Sequence, residues 1–183
     1  MSKAAIFLAD GFETIEALTV VDLCRRAGIE LPTVSVMGTK RVVSSHNVPI
    51  EADEVIADLD FDSIEMIILP GGMPGTPNLE ACDQLMQKVD EFAAAGRYIS
   101  AICAAPRILG KKGLLEGKTA TCYPGVESFL AGANYTGGKV EIDGIFITGR
   151  GMGTANEFAL AIVERLAGKE KADEVAKGVT FER

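Results

Sequence analysis

Short apolar runs alternate with helix-like segments along the 183 residues, and this alternation constrains the fold more than any other feature of the sequence. The run Met66–Leu69 is apolar at every position, as in a strand that is buried on both faces of a sheet. Strands separated by helices favour parallel pairing, because a helix is the usual connection between two parallel strands. The sequence therefore predicts an α/β fold, a doubly wound sandwich with a mainly parallel central sheet.

Apolar periodicity and stop signals give the bounds of the predicted elements. Strands are predicted at Lys3–Ala9, Leu31–Met37, Met66–Leu69 and Tyr98–Ile102, and helices at Glu13–Ala27, Asp83–Ala95 and Thr154–Leu166. Hairpins are expected around Asn47 and around Asp143-Gly144, which is a strong two-residue turn signal. Thr154 and Glu157 have the spacing of a capping box at the start of the last helix.

The composition argues against several classes of protein. The formal net charge is −8 and no basic cluster is present, so we expect no nucleic-acid binding. No apolar run approaches the roughly 20 residues that span a bilayer, and the first residues lack a signal-peptide pattern, so we expect a cytoplasmic protein without membrane contact. The four cysteines are widely spaced and accompanied by one histidine, a pattern that predicts neither a metal site nor disulfides.

Cys103 is the strongest candidate for chemistry. Residues 98–106 read Tyr-Ile-Ser-Ala-Ile-Cys-Ala-Ala-Pro, which predicts a buried strand that ends at Cys103 and a helix that opens at Pro106. A thiol on such a strand-to-helix turn is arranged like a nucleophile elbow, and a helix N-terminus favours the reactive thiolate. The alternative is an ordinary core cysteine, since free cysteine is among the most buried residue types.

Glu16 places a carboxyl group on the apolar face of the first predicted helix. At about 100° per residue it falls between Leu23 and Ala27, which face the core. Burying an ionised carboxylate without a partner is costly, so Glu16 should have a raised pKa or a hydrogen-bond donor. Glu13 lies in the first turn, where a carboxylate suits the helix dipole. A catalytic role and a purely structural role both fit the position of Glu16.

Two glycine-rich loops follow predicted strands. Gly71 and Gly72 could bring backbone N–H groups close enough to stabilise an oxyanion, or they could form an ordinary tight turn. In the loop 149–154, Arg150 could bind a carboxylate, although a loop that simply leads into the next helix is the simpler interpretation. Because the carboxyl ends of parallel strands meet at one edge of a sheet, Glu16, the Gly71-Gly72 turn and Cys103 should converge there.

Four segments, taken in order, resemble the ThiJ/PfpI superfamily and in particular its branch of parkinsonism-associated protein deglycases. They are Ala9–Glu16, Leu69–Gly72, Ala101–Pro106 and Gly149–Thr154. The likeness covers nearly the whole chain, so we expect a single ThiJ/PfpI-type domain over residues 1–183. The resemblance implies a flavodoxin-like sandwich and usually a homodimer.

For the site, the resemblance implies that Cys103 is nucleophilic and prone to oxidation, and that a protonated Glu16 hydrogen-bonds its sulfur. It implies an oxyanion site formed by backbone N–H groups near Gly71, Gly72 and Ala104. The activities of the family include glyoxalase chemistry without glutathione, deglycation of early methylglyoxal adducts, and redox-dependent chaperone action.

Three positions depart from the family pattern. Tyr123 stands where relatives often have a histidine near the cysteine, so a conventional Cys–His pair is not expected there. His46 lies in the hairpin around Asn47, where relatives can carry an arginine near the dimer pocket, and a lone loop histidine is usually just solvated. Met152 replaces a common proline. Glu13, Tyr123, Arg150 and His46 are therefore predicted as possible pocket residues, around Cys103 and Glu16 as the core pair.

The resulting hypothesis is a cofactor-free enzyme that converts methylglyoxal or another small 2-oxoaldehyde, or a glycated substrate, into a 2-hydroxy acid. Cys103 would add to the aldehyde, and Glu16 would move protons as acid and then base. The alternative is a non-enzymatic redox sensor or stress chaperone that acts through oxidation of Cys103. A reactive thiol serves both hypotheses, so the sequence does not separate them.

Overall fold

The computed structural model describes residues 2–182, and strands alternate with helices throughout that range. The strands are β1 (Ala4–Leu8), β2 (Thr33–Ser35), β3 (Arg41–Val43), β4 (Pro49–Glu51), β5 (Glu54–Val55), β6 (Met66–Leu69), β7 (Tyr98–Ile102), β8 (Thr119–Ala120), β9 (Asn134–Tyr135), β10 (Val140–Asp143) and β11 (Phe146–Gly149). The helices are α1 (Thr14–Arg26), α2 (Gly75–Glu80), α3 (Asp83–Ala94), α4 (Pro106–Lys111), α5 (Ala155–Ala167) and α6 (Lys169–Gly178).

The central sheet has the strand order β10-β11-β7-β6-β1-β2-β5. Its pairs are parallel except for the β10–β11 hairpin, which is antiparallel. The predicted flavodoxin-like α/β fold with a mainly parallel sheet is therefore confirmed. The order reverses direction between β1 and β6, which makes the carboxyl ends of these two strands the topological switch point, where doubly wound sheets bind ligands.

Successive side chains of the central strands pack alternately into two separate hydrophobic cores. In β1, Ala4, Ile6 and Leu8 pack into one core, while Ala5 and Phe7 pack into the other. The first core lies beneath α1, α5 and α6, and the second lies beneath α2, α3 and α4. This is why β1 and β6 are apolar at every position: both of their faces are covered, so neither has a polar side.

The predicted elements agree with the structure where both faces of a strand are buried. The bounds of β6 and β7 are those predicted, and both hairpins form, with Asn47 at φ 61° and Gly144 at φ 59°. The predicted capping box is wrong. The Thr154 hydroxyl donates to the Gly151 carbonyl at 2.9 Å, and the Glu157 carboxylate pairs instead with Lys139. The Thr154 hydroxyl is thus used within the short turn before α5 and does not cap the helix.

Within residues 2–182, no helix combines the length and the apolar character that crossing a bilayer requires. The same part of the chain brings together no group of three or more His, Cys, Asp or Glu side chains suited to a metal ion. All four cysteines are free thiols, two of them buried in the cores and two partly exposed.

Candidate active site

The loops after β1 and β6 are tied together at the switch point of the sheet. The Glu13 N–H donates to the Gly71 carbonyl at 2.9 Å, and the Gly75 N–H donates to the Gly11 carbonyl at 3.1 Å. Gly72 has φ +99°, and a Cβ there would lie 2.4 Å from the nitrogen of Glu13. A side chain at Gly72 would separate the two loops, so the glycine pair is needed for their close approach.

Cys103 lies on a strained turn between β7 and α4. Its φ is +65°, a left-handed conformation that is uncommon for residues other than glycine. Its N–H donates to the Gly149 carbonyl at 2.9 Å, and its carbonyl accepts from the Tyr123 N–H at 2.8 Å. Two neighbouring segments therefore hold this backbone in place, as the predicted strand-to-helix elbow requires. Strain of this kind is typical of functional sites.

Glu16 is fully buried in the first turn of α1, beneath the Cys103 elbow. The Glu13 carboxylate caps the helix by accepting the Glu16 N–H at 2.7 Å, which fixes the start of α1. The Gly71 N–H donates to Oε2 of Glu16 at 2.9 Å. The other oxygen, Oε1, is buried and has no hydrogen-bond partner of normal geometry among residues 2–182. An unpaired buried carboxyl oxygen favours the protonated, neutral form of the group.

Gly71 lies between the carboxyl group and the thiol. A Cβ at this position would be 2.7 Å from Cβ of Cys103 and 2.8 Å from Oε2 of Glu16, closer than any real side chain could be. Only glycine therefore lets the loop after β6 pass between the two side chains while its N–H still binds Glu16. The predicted convergence of Glu16, Gly71 and Cys103 at one sheet edge is observed in the structure.

The Glu16 carboxyl and the Cys103 thiol perturb each other's ionisation. Burial raises the pKa of the Glu16 carboxyl to about 7, and the Cys103 thiol and the Gly71 N–H oppose this to a smaller extent. Burial also raises the pKa of the Cys103 thiol, and the charge of Glu16 raises it further, whereas the N–H groups of Ala104 and Gly72 lower it. Because each charge opposes the other, the groups titrate as a coupled pair.

The raised pKa of the Cys103 thiol differs from the prediction of a readily ionised thiol. That prediction rested on a helix N-terminus and left out the burial of the sulfur, and α4 is only six residues long. When Glu16 is ionised, burial and the carboxylate charge both oppose the thiolate. When Glu16 keeps its proton, only burial does so, and the N–H groups of Ala104 and Gly72 favour the anion. The thiolate therefore depends on the proton of Glu16.

Cys103 opens into a cavity of about 580 Å³, which is lined by the loops after β1, β6 and β7, by the β3–β4 hairpin and by residues 123–129. Six of the sequence-predicted positions line the cavity: Glu13, His46, Gly72, Cys103, Ala104 and Tyr123. Arg150 lies elsewhere. It lines a neighbouring depression of about 410 Å³ that shares Tyr123 with this cavity, so the prediction that groups Arg150 with the thiol is not supported by the geometry.

Sequence reasoning did not single out several side chains of the cavity wall, among them Arg107 and Phe129. Arg107 could have been predicted from its position, because it comes immediately after Pro106 in the helix that follows the elbow. Phe129 lies in a short turn far along the chain, and no local pattern indicates it.

The other cysteines lie outside this cavity. Burial raises the pKa of Cys24 to about 12 and, with a smaller effect of Glu127, that of Cys122 to about 11. Cys82 is partly exposed at the start of α3. Of the four thiols, Cys103 is thus the one placed beside both a carboxyl group and two backbone donors.

Comparison with known proteins is consistent with this geometry. The protein DJ-1 homolog B of Arabidopsis thaliana is 42% identical over 176 residues, 95% of this chain, but the chain spans only 40% of that protein. Protein dj-1beta of Drosophila melanogaster is 40% identical over 182 residues, 98% of this chain and 97% of the fly protein. The glutathione-independent glyoxalase DJR-1.2 of Caenorhabditis elegans is 32% identical over 179 residues, 96% and 95% of the two chains.

The fold comparison agrees with the sequence comparison. The crystal structure of Drosophila melanogaster DJ-1beta matches with a TM-score of 0.95 at 39% identity and covers 100% of both chains. A model described as the DJ-1/PfpI family matches residues 2–165, which include the loops around Glu16, Gly71 and Cys103. Together with the fly and nematode relatives, which are more than 30% identical over most of their length, this match confirms the resemblance seen in the sequence: the chain belongs to the DJ-1/PfpI family.

Proposed function

We propose that this protein converts small 2-oxoaldehydes such as methylglyoxal, free or as early glycation adducts, into 2-hydroxy acids. Cys103 is the nucleophile and Glu16 is the proton carrier. The observation that carries the proposal is the pairing of a buried carboxyl group, whose pKa is raised to about 7, with a thiol in an open cavity. A group with such a pKa can both give and take a proton near neutral pH. The name of the nematode relative, a glutathione-independent glyoxalase, supports the same chemistry.

In this mechanism the reactive form is the Cys103–Glu16 pair with a single proton, which lies on Glu16 when the sulfur attacks. The thiolate forms a bond to the aldehyde carbon, and Glu16 gives its proton to the resulting alkoxide, which yields a hemithioacetal. The Glu16 carboxylate then takes the proton from that carbon, which gives an enediolate, and returns it to the neighbouring carbonyl carbon, while the proton of the hemithioacetal hydroxyl passes to the ketone oxygen. The aldehyde carbon is thereby oxidised to a thioester and the ketone carbon is reduced to an alcohol, so no external oxidant is needed.

Water completes the reaction by hydrolysing the thioester, which releases the 2-hydroxy acid and the free thiol. Negative charge develops on substrate oxygen during addition, proton transfer and hydrolysis. The N–H groups of Gly72 and Ala104, which favour an anion at the sulfur, would stabilise this charge. The sum of the steps is one 2-oxoaldehyde plus one water giving one 2-hydroxy acid, with no cofactor consumed.

The rival function, a redox sensor, uses the same residues. Peroxide would oxidise Cys103 to a sulfinate, and a protonated Glu16 would donate to one of its oxygens. The test is lactate formation from methylglyoxal by fully reduced protein, before and after stoichiometric peroxide. We expect turnover by the reduced protein and its loss when the Cys103 peptide gains two oxygens in the mass spectrum. If reduced protein is inert and an activity appears only after oxidation, the sensor is the correct assignment.

We also propose a twofold homodimer through the outer edge of α1. Ile15 and Leu18 are 49% and 37% exposed there, and such residues at the edge of a layered fold can be buried against a second copy. Sedimentation equilibrium at micromolar concentration should give twice the 19.3 kDa mass of the chain. Leu18→Glu should shift the equilibrium to the monomer, whereas Ile142→Glu, at a similarly exposed position on β10, should not. A monomer for the unaltered protein would reject the proposal.

A further inference from the structure

Arg107 places a guanidinium group in the wall of the cavity that holds the Cys103 thiol. It is the second residue of α4, and its side chain is 17% exposed. The guanidinium lies over the ring of Phe129, 4.8 Å from its centroid, and Phe129 lines the same cavity. Aromatic contact and partial burial limit the movement of the group, so its charge is held at a defined part of the wall.

Glu80 fixes Arg107 from the side. Nε and Nη2 of Arg107 donate to the two oxygens of Glu80 at 2.9 Å each, and Nζ of Lys111 reaches the same carboxylate at 3.0 Å. Two positive groups therefore share one negative group, which leaves the cluster with a net charge of +1. A guanidinium has five N–H donors, of which Glu80 uses two, so Arg107 keeps donors for a further anion.

The cavity also contains the carboxylate of Glu13, which would repel an anionic ligand. Glu13 is engaged in capping α1 through Oε2, so its charge is fixed in place. Neutral 2-oxoaldehydes need no cation for the proposed chemistry, since the thiol and Glu16 suffice for it. The positive cluster is therefore a feature of the cavity that the proposed mechanism does not use.

We infer that Arg107 is a specificity-determining residue, which makes the cavity favour 2-oxoaldehydes that bear a carboxylate further along their carbon chain. The planar guanidinium matches a carboxylate in shape and charge, and a partly desolvated site strengthens the attraction. The inference rests on the proposed function for the reaction itself. The preference for an anion is nevertheless a property of the cavity, and it can be measured at the Cys103 thiol without any turnover.

Iodoacetate and iodoacetamide form the matched pair of probes, because one carries a carboxylate where the other carries a neutral amide. The rate of alkylation at Cys103 is measured for each by peptide mapping, and the ratio of the two rates cancels the nucleophilicity of the sulfur. Arg107→Gln should lower the ratio of iodoacetate to iodoacetamide rates about three- to tenfold, as expected for one charge across a partly solvated cavity. Arg107→Lys should keep most of the unaltered ratio.

Two further variants separate the charge of the cavity from the fold. Glu80→Gln removes the negative member of the cluster and should raise the ratio, so it tests the inference even if Arg107→Gln is unstable. Arg26→Gln is the matched control, an arginine paired with Asp22 at the far end of α1, and should leave the ratio unchanged. A ratio that is the same in Arg107→Gln and in the unaltered protein, or that falls in Glu80→Gln, would overturn the inference.

The substrate arm uses 4,5-dioxopentanoate and the neutral 2-oxopentanal, which have the same chain length. We expect Arg107→Gln to lower kcat/KM for the anionic compound relative to the neutral one by a similar factor, mainly through KM. If neither compound is turned over by the unaltered protein, the proposed function fails while the alkylation ratio still decides the role of Arg107. If both are turned over and Arg107→Gln changes them equally, the proposed function stands and the inference fails.

Discussion

Replacing Cys103 by serine is expected to lower lactate formation from methylglyoxal by about a thousandfold or more, the scale of losses seen when a nucleophile is removed. Serine is close to cysteine in size and can occupy the same turn at φ +65°. Its hydroxyl group, however, loses its proton far less readily than a thiol, and the neighbouring Glu16 is too weak a base to compensate. The comparison requires kcat measured at saturating methylglyoxal, with lactate quantified directly.

Cys82→Ser is the matched control for this experiment. Cys82 is partly exposed like Cys103, but it begins α3 and lies outside the cavity. Its replacement should leave kcat within about twofold of the unaltered value, as surface substitutions usually do. If Cys103→Ser kept a tenth or more of the rate, the sulfur would not be the nucleophile, and the glyoxalase proposal would have to be abandoned.

Replacing Glu16 is expected to lower kcat by about a hundredfold or more, because a positioned acid–base group contributes on that scale. Glu16→Gln can still accept from the Gly71 N–H and can donate to the sulfur, but it cannot move a proton between the two carbons of the substrate. Glu16→Leu lacks both abilities. Turnover near the unaltered rate in either variant would mean that the proton carrier is another group.

Glu16→Leu should also change how the free energy of unfolding depends on pH. The pKa of Glu16 is raised to about 7 in the folded protein from an ordinary value of 4.5. Between these two pH values the folded state therefore holds a proton that the unfolded state has lost. The contribution of Glu16 to the free energy of unfolding is therefore greatest below pH 4.5 and falls by roughly 3 kcal/mol as the pH rises through 7. The free energy of unfolding of Glu16→Leu should not show this fall with pH, and leucine suits the apolar face of α1.

Urea unfolding at pH 5 and pH 8 measures the effect. Relative to the unaltered protein, Glu16→Leu should gain more stability at pH 8 than at pH 5. Glu51→Gln, an exposed carboxyl on β4, is the control and should show no such difference between the two pH values. An equal stability change for Glu16→Leu at both pH values would show that the carboxyl is ionised in the folded protein throughout this range.

The sequence sufficed for the centre of the molecule and for the core pair of the site. Met66–Leu69 and Tyr98–Ile102 were predicted with their bounds, because a strand covered on both faces is apolar at most positions and ends where it meets the loops. Helical periodicity alone placed Glu16 in the core. Its burial and its raised pKa are consequences that any carboxyl on that face would share.

What the sequence left out depends on contacts between distant segments. Arg107 lines the cavity and binds Glu80, 27 positions earlier, and no local pattern indicates that pair. Arg150 was predicted near the site because its loop follows β11, but its side chain lines the neighbouring depression. The pKa of Cys103 was misjudged for the same reason, because burial by other segments outweighs the local effect of the turn.

The hydrogen bond from Gly71 to Glu16 joins residues 55 positions apart, and Cys103 follows β7, which lies still further along the chain. None of these contacts is local, so no single hairpin or helix contains the site, and contacts of such wide separation in sequence form only when the centre of the sheet is assembled. A nascent or partly unfolded chain therefore exposes an ordinary cysteine without its proton carrier or its backbone donors. The site therefore forms in the same cooperative step that pairs β6 with β1 and β7. The reactivity of the Cys103 thiol that depends on Glu16 and the backbone donors is thus a property of the folded sheet only.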